Sequence, residues 1–192
     1  QAIAVEENKG QESRQPVHGN WRVINHAPAA LSTYSLPVNQ VSGEFDLTKD
    51  QQNLKNIDID VQSNGRITGA GVWKDKQGDF KFDVNGFDLK NVHPKMLATR
   101  LSGPLELTAT KGSQHIVTTL TNSGSNVLQV FADVNVTNER VEVTEARMSG
   151  SANAKIELKG QLKYTEGLPF EGKAQLLQFN LAELGDFPNS RL

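Results

Sequence analysis

The chain has 192 residues, no cysteine and a formal net charge of −2. The absence of cysteine excludes disulfides, thiol catalysis and zinc–thiolate sites, and it suits an oxidising compartment. Acidic and basic residues are interspersed without a basic stripe, so nucleic acid is not an expected partner, and no apolar run approaches the ~20 residues that a membrane-spanning helix needs.

The N-terminal part begins polar and then becomes strand-like. Residues 1–16 are predicted to be a polar end or linker, and residues 21–24 a strand. Pro28 and Pro37 bracket residues 31–36. This bracketing predicts a short or edge strand, because proline cannot donate a hydrogen bond to a sheet ladder.

From residue 41 the pattern is that of a strand meander. Apolar and polar side chains alternate in residues 41–47 and again in residues 54–61, which is typical of strands with one wet face. Asn64-Gly65 is the strongest hairpin signal in the chain. Residues 67–73 return with glycines on the apolar side, which indicates curvature, a bulge or the close approach of another chain.

The middle of the chain contains two strands around a joint. A further turn is predicted at residues 75–78, and Phe80, Phe82 and Val84 then alternate with charged residues. Residues 91–97 suit a short helical turn with a proline in its first turn. A second alternating strand follows at residues 101–107.

The C-terminal half continues the same pattern. Strands are predicted at residues 115–121, 126–136, 141–143, 152–158 and 170–179. The run 126–136 is predicted to be the longest strand, spanning about 36 Å at ~3.3 Å per residue. The chain is therefore predicted to be all-β, with roughly ten to twelve strands joined mostly by short turns.

A short motif recurs along the chain. Phe87-Asp88-Leu89 is repeated as Phe179-Asn180-Leu181, and Arg100-Leu101 as Arg191-Leu192. The spacings between related motifs are unequal, which argues against a solenoid of fixed period. The chain stops where the repeat should continue. We therefore expect residues 17–192 to be a single repetitive β segment of a longer protein.

These motifs resemble those of the TamB/AsmA-like family of Gram-negative envelope proteins. The residues that carry the resemblance are 86–89 with their proline-containing joint, Leu-Ser-Gly-Pro-Leu-Glu-Leu at 101–107, and the small-residue strand with its Gly-x-Leu at 152–162. The likeness covers residues 21–192. Its motifs are degenerate patterns of aliphatic, glycine and Asp/Asn positions, without an invariant catalytic signature.

The resemblance implies a long, curved, mostly antiparallel sheet that forms an open trough, apolar inside, with one or two very short helices. It implies a periplasmic segment of an inner-membrane-anchored protein that passes phospholipids between the inner and outer membranes. The implied partners are phospholipid acyl chains and, through another part of the parent chain, an outer-membrane barrel of the Omp85 type. An isolated segment could self-associate through its exposed apolar face.

Two alternatives stay open at this stage. Alternating apolar residues also suit a closed β-sandwich, in which the same side chains would fill a core. An open sheet could instead act as an interaction or assembly module, aiding the insertion of outer-membrane proteins such as autotransporters by strand addition. The aromatic residues that could be either core or trough lining are Phe45, Trp73, Phe80, Phe82, Phe131 and Phe179.

The candidate lining residues of the trough are the apolar members of the alternating runs. They are Phe45, Leu47, Ile57, Ile59, Val61, Ile67, Trp73, Phe80, Phe82, Val84, Leu105, Leu107, Leu128, Val130, Val134, Ile156 and Leu158.

No chemical constellation stands out beside this pattern. The four histidines have no metal-ligand spacing, Asp58 and Asp60 lack a calcium loop, and the Ser-Gly pairs are not nucleophile elbows. The sequence therefore predicts no catalytic residue, no metal site and no cofactor, and the chain is not expected to be an enzyme. The histidines are His18, His26, His93 and His115.

Overall fold

The computed structural model describes residues 17–33, 35–122, 128–150, 154–164, 169–178 and 186. The predicted polar end at residues 1–16 lies outside the described residues. So does the C-terminal copy of the motif, Phe179-Asn180-Leu181 and Arg191-Leu192.

The described chain forms one antiparallel sheet of eleven strands, arranged in the sheet in the same order as in the sequence. Each strand pairs with its neighbours along the chain. The strands are β1 (Val17–Ile24), β2 (Val38–Leu47), β3 (Gln51–Val61), β4 (Gly65–Lys74), β5 (Gln77–Phe87), β6 (Leu101–Thr110), β7 (Ser113–Asn122), β8 (Gln129–Thr137), β9 (Arg140–Ser149), β10 (Lys155–Lys163) and β11 (Phe170–Leu177).

The sheet is open, and the prediction of an all-β trough is confirmed. Within the described residues β1 pairs only with β2, β11 pairs only with β10, and no second sheet faces the first. The β-sandwich alternative is therefore wrong. Alternating runs alone cannot separate the two folds, because both place every second side chain on an apolar side.

The two ends of the strands differ in how they are connected. At one end, which we call the hairpin rim, the turns at residues 48–50, 75–76, 111–112 and 138–139 are tight. The opposite end, the loop rim, contains the two long connections of the described chain, residues 25–37 and 88–100. Because of this asymmetry, the described chain covers the apolar side of the sheet at the loop rim and not at the hairpin rim.

The tight turns have the geometry that twisted antiparallel strands prefer. Asp75 and Lys76 have φ of 50° and 68°, and the flanking Lys74 and Gln77 are paired. This is the pattern of a type I′ turn, which matches the right-handed twist of the strands. The predicted turn at residues 75–78 is thus confirmed in a shorter form.

The predicted Asn64-Gly65 hairpin is present, one residue out of register. Ser63 and Asn64 carry the positive φ angles, 64° and 62°, whereas Gly65 already pairs with Val61. The flanking alternation had fixed the position of the turn but not which pair of residues forms it.

Bulges keep the apolar side chains on one face where the strict alternation slips. Asn56 adopts φ of 47° between Leu54 and Ile57, so both of these pair with glycines on the same side of β4. An asparagine suits this position because its short polar side chain tolerates the left-handed region. Gly86, with φ of 69°, occupies a similar register shift at the end of β5.

Three predicted elements are wrong in detail. Of residues 31–36, those that the structure describes form no strand; Leu31–Thr33 is a 3₁₀ turn, in which the amide and hydroxyl of Thr33 both donate to the carbonyl of Ala30. Proline at both ends stops a ladder without specifying what replaces it. The run 126–136 is shortened to the nine residues of β8, and the longest strands are β3 and β5, with eleven residues each.

The helical turn of the joint precedes Pro94 rather than containing it. It spans Leu89–Asn91, and Asp88 caps it by accepting a hydrogen bond from the amide of Lys90. Capping by an aspartate satisfies an otherwise unpaired amide at the start of the turn. The capping residue therefore set the start of the turn, and the proline did not.

Residues 88–100, which we call the rim segment, fold over the apolar side of the sheet at the loop rim. Thr99 joins the two ends of the rim segment. The Thr99 hydroxyl donates to the carbonyl of Phe87 at 3.1 Å and accepts from the amide of Leu89 at 2.9 Å. The side-chain amide of Asn91 donates to the carbonyl of Gln62 at 3.1 Å. Both Asn91 and Thr99 are buried, so these polar groups are satisfied where water is excluded.

The main hydrophobic cluster lies beneath this segment. Leu101 is 1% exposed, and it packs with four other buried residues, Val84, Leu89, Leu120 and Leu128. Val92 and Met96 of the rim segment pack against the same cluster. No helix in the described part of the chain is long and apolar enough to cross a membrane.

Candidate functional site: the apolar face

The strand register places the alternating apolar residues in rows that cross the sheet. One row joins Leu54, Gly71, Phe80 and Leu107 through direct cross-strand pairs. The next row runs from Ile57 through Gly69 and Phe82 to Leu105 along the same pairs. Because side chains alternate between faces, these rows lie on one side of the sheet, which we call the apolar face.

All seventeen predicted lining residues lie on this face. The cross-strand pairs connect sixteen of them, and Leu128, just before β8, belongs to the buried cluster on the same side. Ile57, Val61, Val84 and Leu128 are buried, and the other thirteen are half-buried. Their role as a lining remains a prediction.

Aromatic rings cover glycines on the neighbouring strand. A Cβ atom at Gly71 would overlap the ring of Phe80, and one at Gly69 would overlap both the ring of Phe82 and the carbonyl of Lys81. The rings of Phe80 and Phe82 are stacked, with centroids 6.3 Å apart and planes 11° apart. Glycine on β4 therefore leaves room for rings that lie across the sheet instead of standing up from it.

The same arrangement occurs near the β1 edge, at a residue that the sequence pattern did not single out. Trp21 lies over Gly43, where a Cβ would be 2.9 Å from the indole ring. The indole N–H of Trp21 is buried and has no hydrogen-bond acceptor within the described structure. The sequence did contain a signal for this arrangement, because the tryptophan and the glycine lie in two successive runs with the alternation of strands.

Among the described residues of the predicted aromatic set, Phe131 alone lies on the other side of the sheet. It pairs with Arg147, whose guanidinium lies 4.6 Å from the ring centroid, on the polar face. Its assignment to a core or trough lining is wrong. The residues on either side of it, Val130 and Ala132, take the apolar positions. Phe179 lies outside the described residues.

The apolar face is covered at one end and open at the other. Large buried side chains lie in the half of the sheet that ends at the loop rim, and Leu101, Leu120 and Val61 are the clearest cases. Toward the hairpin rim, Leu47, Trp73 and Leu107 stay half-exposed. The four described turns there, at residues 48–50, 75–76, 111–112 and 138–139, are two or three residues long and too short to fold over the sheet.

The opposite, polar face carries exposed ion pairs. Arg66 binds Asp58 through two parallel hydrogen bonds of 2.7 and 2.6 Å. Asp46 is bound by Lys55 and His18, and His115 lies 2.9 Å from Asp133. Two of the four histidines thus belong to surface pairs, and the described residues contain no group of three side chains that could hold a metal ion.

These pairs lower the pKa values of the carboxylates. Hydrogen bonding to Arg66 lowers the pKa of Asp58. The pKa of Asp46 is lowered mainly by its hydrogen bond to Lys55 and, to a smaller extent, by its hydrogen bond to His18. The pKa of Glu157 is lowered mainly by its hydrogen bond to Lys155. All three carboxylates stay ionised at neutral pH, so the polar face is charged while the apolar face is not.

The best-defined cleft, of about 460 Å³, does not lie on the apolar face. Three consecutive residues from each of β3 to β6 line it, and the outer two of each triplet point to the polar side. This cleft is a surface groove between two rows of side chains that are polar except for Ala70 and Val72. The apolar face is instead a broad, open surface, which suits an elongated ligand better than a compact one.

No protein-family model, curated protein or solved structure matches this chain. The family resemblance therefore depends on the motifs quoted above.

Proposed function

We propose that this chain is a segment of a periplasmic trough that carries phospholipids between two membranes, with their acyl chains on the apolar face. The single observation that carries the proposal is the continuity of that face. Apolar side chains or glycines occupy most of its positions from β1 to β11, and most of the large ones are only half-buried. A face of this size on a folded protein marks a binding surface.

The energetics favour movement along the face. A sixteen-carbon acyl chain gains about 12 kcal/mol from complete burial at ~0.8 kcal/mol per methylene. The gain in a bilayer is comparable, so transfer between the two is close to neutral. The lining offers few polar groups that would hold a chain at one position, and a smooth apolar surface lets the chain slide.

Crosslinking at two phenylalanines on opposite faces tests the proposal. A photoreactive phenylalanine analogue replaces Phe82 on the apolar face or Phe131 on the polar face; both are half-buried. Each protein is incubated with phospholipid vesicles, irradiated and analysed by mass spectrometry. We expect lipid adducts at position 82 and none at position 131.

The neighbouring Lys81, exposed on the polar face, gives a second control at the same height in the sheet. Equal labelling at positions 81 and 82 would mean non-specific contact with vesicles. If position 82 is unlabelled and is also protected from small apolar probes, another part of the protein covers the face and the lipid proposal fails.

The open edges of the sheet favour a second candidate function, an assembly module that binds extended segments of outer-membrane proteins. Val17, Val23 and Ile24 of β1 are 59%, 61% and 50% exposed, and Leu177 of β11 is 59% exposed. Unpaired edge strands bind other extended chains by adding a strand. Proline at Arg22 should then weaken peptide binding and spare lipid binding, and the reverse result contradicts this candidate.

A further inference from the structure

Cations are distributed regularly along the hairpin rim. Each of the five connections there has one or two cations in the turn or beside it, against four carboxylates in the same stretches of sequence. The cations are Lys49, Lys74, Lys76, Lys111, Arg140 and Lys163. Successive hairpins are two strands apart, so neighbouring cations along the rim are about 10 Å apart.

Most of these cations have no partner within the described structure. Lys49, Lys74, Lys76 and Lys111 are exposed and form no ion pair there. Arg140 reaches Glu142 only at 3.6 Å, and its Nε is buried without an acceptor. Strand lysines are mixed in this respect: Lys55 and Lys155 are paired with carboxylates, whereas Lys81 and Lys159 form no ion pair in the described structure. At the rim, Lys163 lies 3.9 Å from Glu171.

Because the apolar face is covered at the loop rim beside β5 to β8, the polar part of a lipid bound there can reach water only at the hairpin rim. At the loop rim beside β5 to β8, Leu89, Val92 and Met96 of the rim segment pack onto the face and cover it there. At the hairpin rim no described segment folds over Trp73 or Leu107, which remain half-exposed. A lipid whose chains lie on this part of the face must therefore bring its phosphate to water at the hairpin rim.

We infer that the hairpin rim is a phosphate track, in which the lysines of successive turns attract the phosphate of a phospholipid whose chains lie on the apolar face. This inference rests on the proposed function and adds the headgroup chemistry and the side of entry. A lysine stem reaches over apolar surface while its ammonium stays in water. Solvated lysines about 10 Å apart attract an anion without trapping it, because exposed pairs are weak and screened by salt.

Lysines at the two rims provide a matched test. Lys76→Glu with Lys111→Glu reverses two charges at the hairpin rim, and Lys90→Glu with Lys95→Glu reverses two at the loop rim, where the face is covered. Each protein is incubated with phosphatidylcholine vesicles containing equal amounts of phosphatidylglycerol and diacylglycerol with identical acyl chains. The vesicles are removed, and the ratio of the two lipids carried by the protein is measured by native mass spectrometry.

We expect the hairpin-rim variant to lower the ratio of phosphatidylglycerol to diacylglycerol by about fivefold, since a cation near an anionic headgroup contributes about 1 kcal/mol. The loop-rim variant should leave the ratio unchanged, and Lys76→Arg with Lys111→Arg should keep it at the wild-type value. Thermal unfolding should be similar for all four proteins, because the substituted side chains are exposed.

The outcomes separate the inference from the function on which it rests. If the wild type carries diacylglycerol and phosphatidylglycerol but the hairpin-rim variant keeps the same ratio, the phosphate track is wrong and the lipid trough stands. If the wild type carries neither lipid, both fail. If inorganic phosphate displaces phosphatidylglycerol more strongly than chloride at equal ionic strength, the rim binds free phosphate and the headgroup assignment is overturned.

Discussion

Two leucines on the same strand and the same face should differ sharply in what their removal costs. Leu101 lies at the loop end of β6, beneath the rim segment, and is 1% exposed. Leu107 lies six residues further along β6 on the same face and is half-exposed. If the apolar face is core at one end and open surface at the other, Leu101→Ala and Leu107→Ala will not be equivalent.

The expected magnitudes follow from burial. Leu101→Ala leaves a cavity in a packed cluster, which costs about 3–5 kcal/mol in the free energy of unfolding. Leu107→Ala removes side-chain atoms that are already partly in water, and we expect a cost of about 1 kcal/mol. For a protein of this size these values correspond to decreases in Tm of about 10 °C and about 3 °C.

Urea and thermal unfolding followed by circular dichroism give both values from the same preparations. Leu107→Ala should also reduce lipid adducts at position 82, whereas any effect of Leu101→Ala on adducts should disappear under conditions where it is fully folded. Equal destabilisation by the two substitutions would refute the reasoning. It would mean that an additional layer covers Leu107, and the face would then be a closed core along its whole length.

Three further predictions follow from local features. Asp75→Asn with Lys76→Gly places the preferred pair in the type I′ turn and should stabilise the protein by about 1 kcal/mol, because glycine relieves the cost of a positive φ; a lower urea midpoint would contradict the turn assignment. Gly71→Ala should destabilise by about 1–3 kcal/mol, since its Cβ would overlap the Phe80 ring. Gly112→Ala, where a Cβ meets nothing within 4 Å, is the matched control and should be close to neutral. The lowered pKa of Asp58 contributes stability that is present above its unfolded-state value near 4 and is lost as pH falls through the lower folded-state pKa. On acidification from about pH 5 the wild type should therefore lose slightly more stability than Asp58→Asn, and identical acid-unfolding curves would show that the pair contributes nothing.

The sequence was sufficient to predict which side chains share a face. Period-two alternation places Phe80, Phe82 and Val84 together, and bulges at Asn56 and Gly86 preserve the pattern where it would otherwise reverse. Strand alternation is a local property, so it survives without knowledge of the rest of the fold. For this reason the residues that share the apolar face were grouped correctly, and Phe131 was misassigned only when it was grouped by residue type instead of by position.

The covering of the face could not be predicted, because it depends on contacts between distant parts of the chain. Nothing in Leu89, Val92 or Met96 indicates that they pack onto a cluster that contains Leu120 of β7 and Leu128 just before β8. The 3₁₀ turn at Leu31–Thr33 is tied to the rim segment by the amide of Ser32, which donates to the carbonyl of Val92 at 2.9 Å. Such tertiary hydrogen bonds override the weak local preference for an extended chain.

The strict neighbour-to-neighbour order of the eleven strands also has a consequence for how the chain acquires its structure. Each strand needs only the strand before it as a template, so pairing can proceed as the chain emerges from one end, without waiting for distant segments. Pairing between strands that follow one another in the sequence closes only short stretches of chain, so each new strand stays unpaired only briefly. A polypeptide that leaves a narrow channel in an extended state could therefore build this sheet one strand at a time, with a single growing edge at any moment.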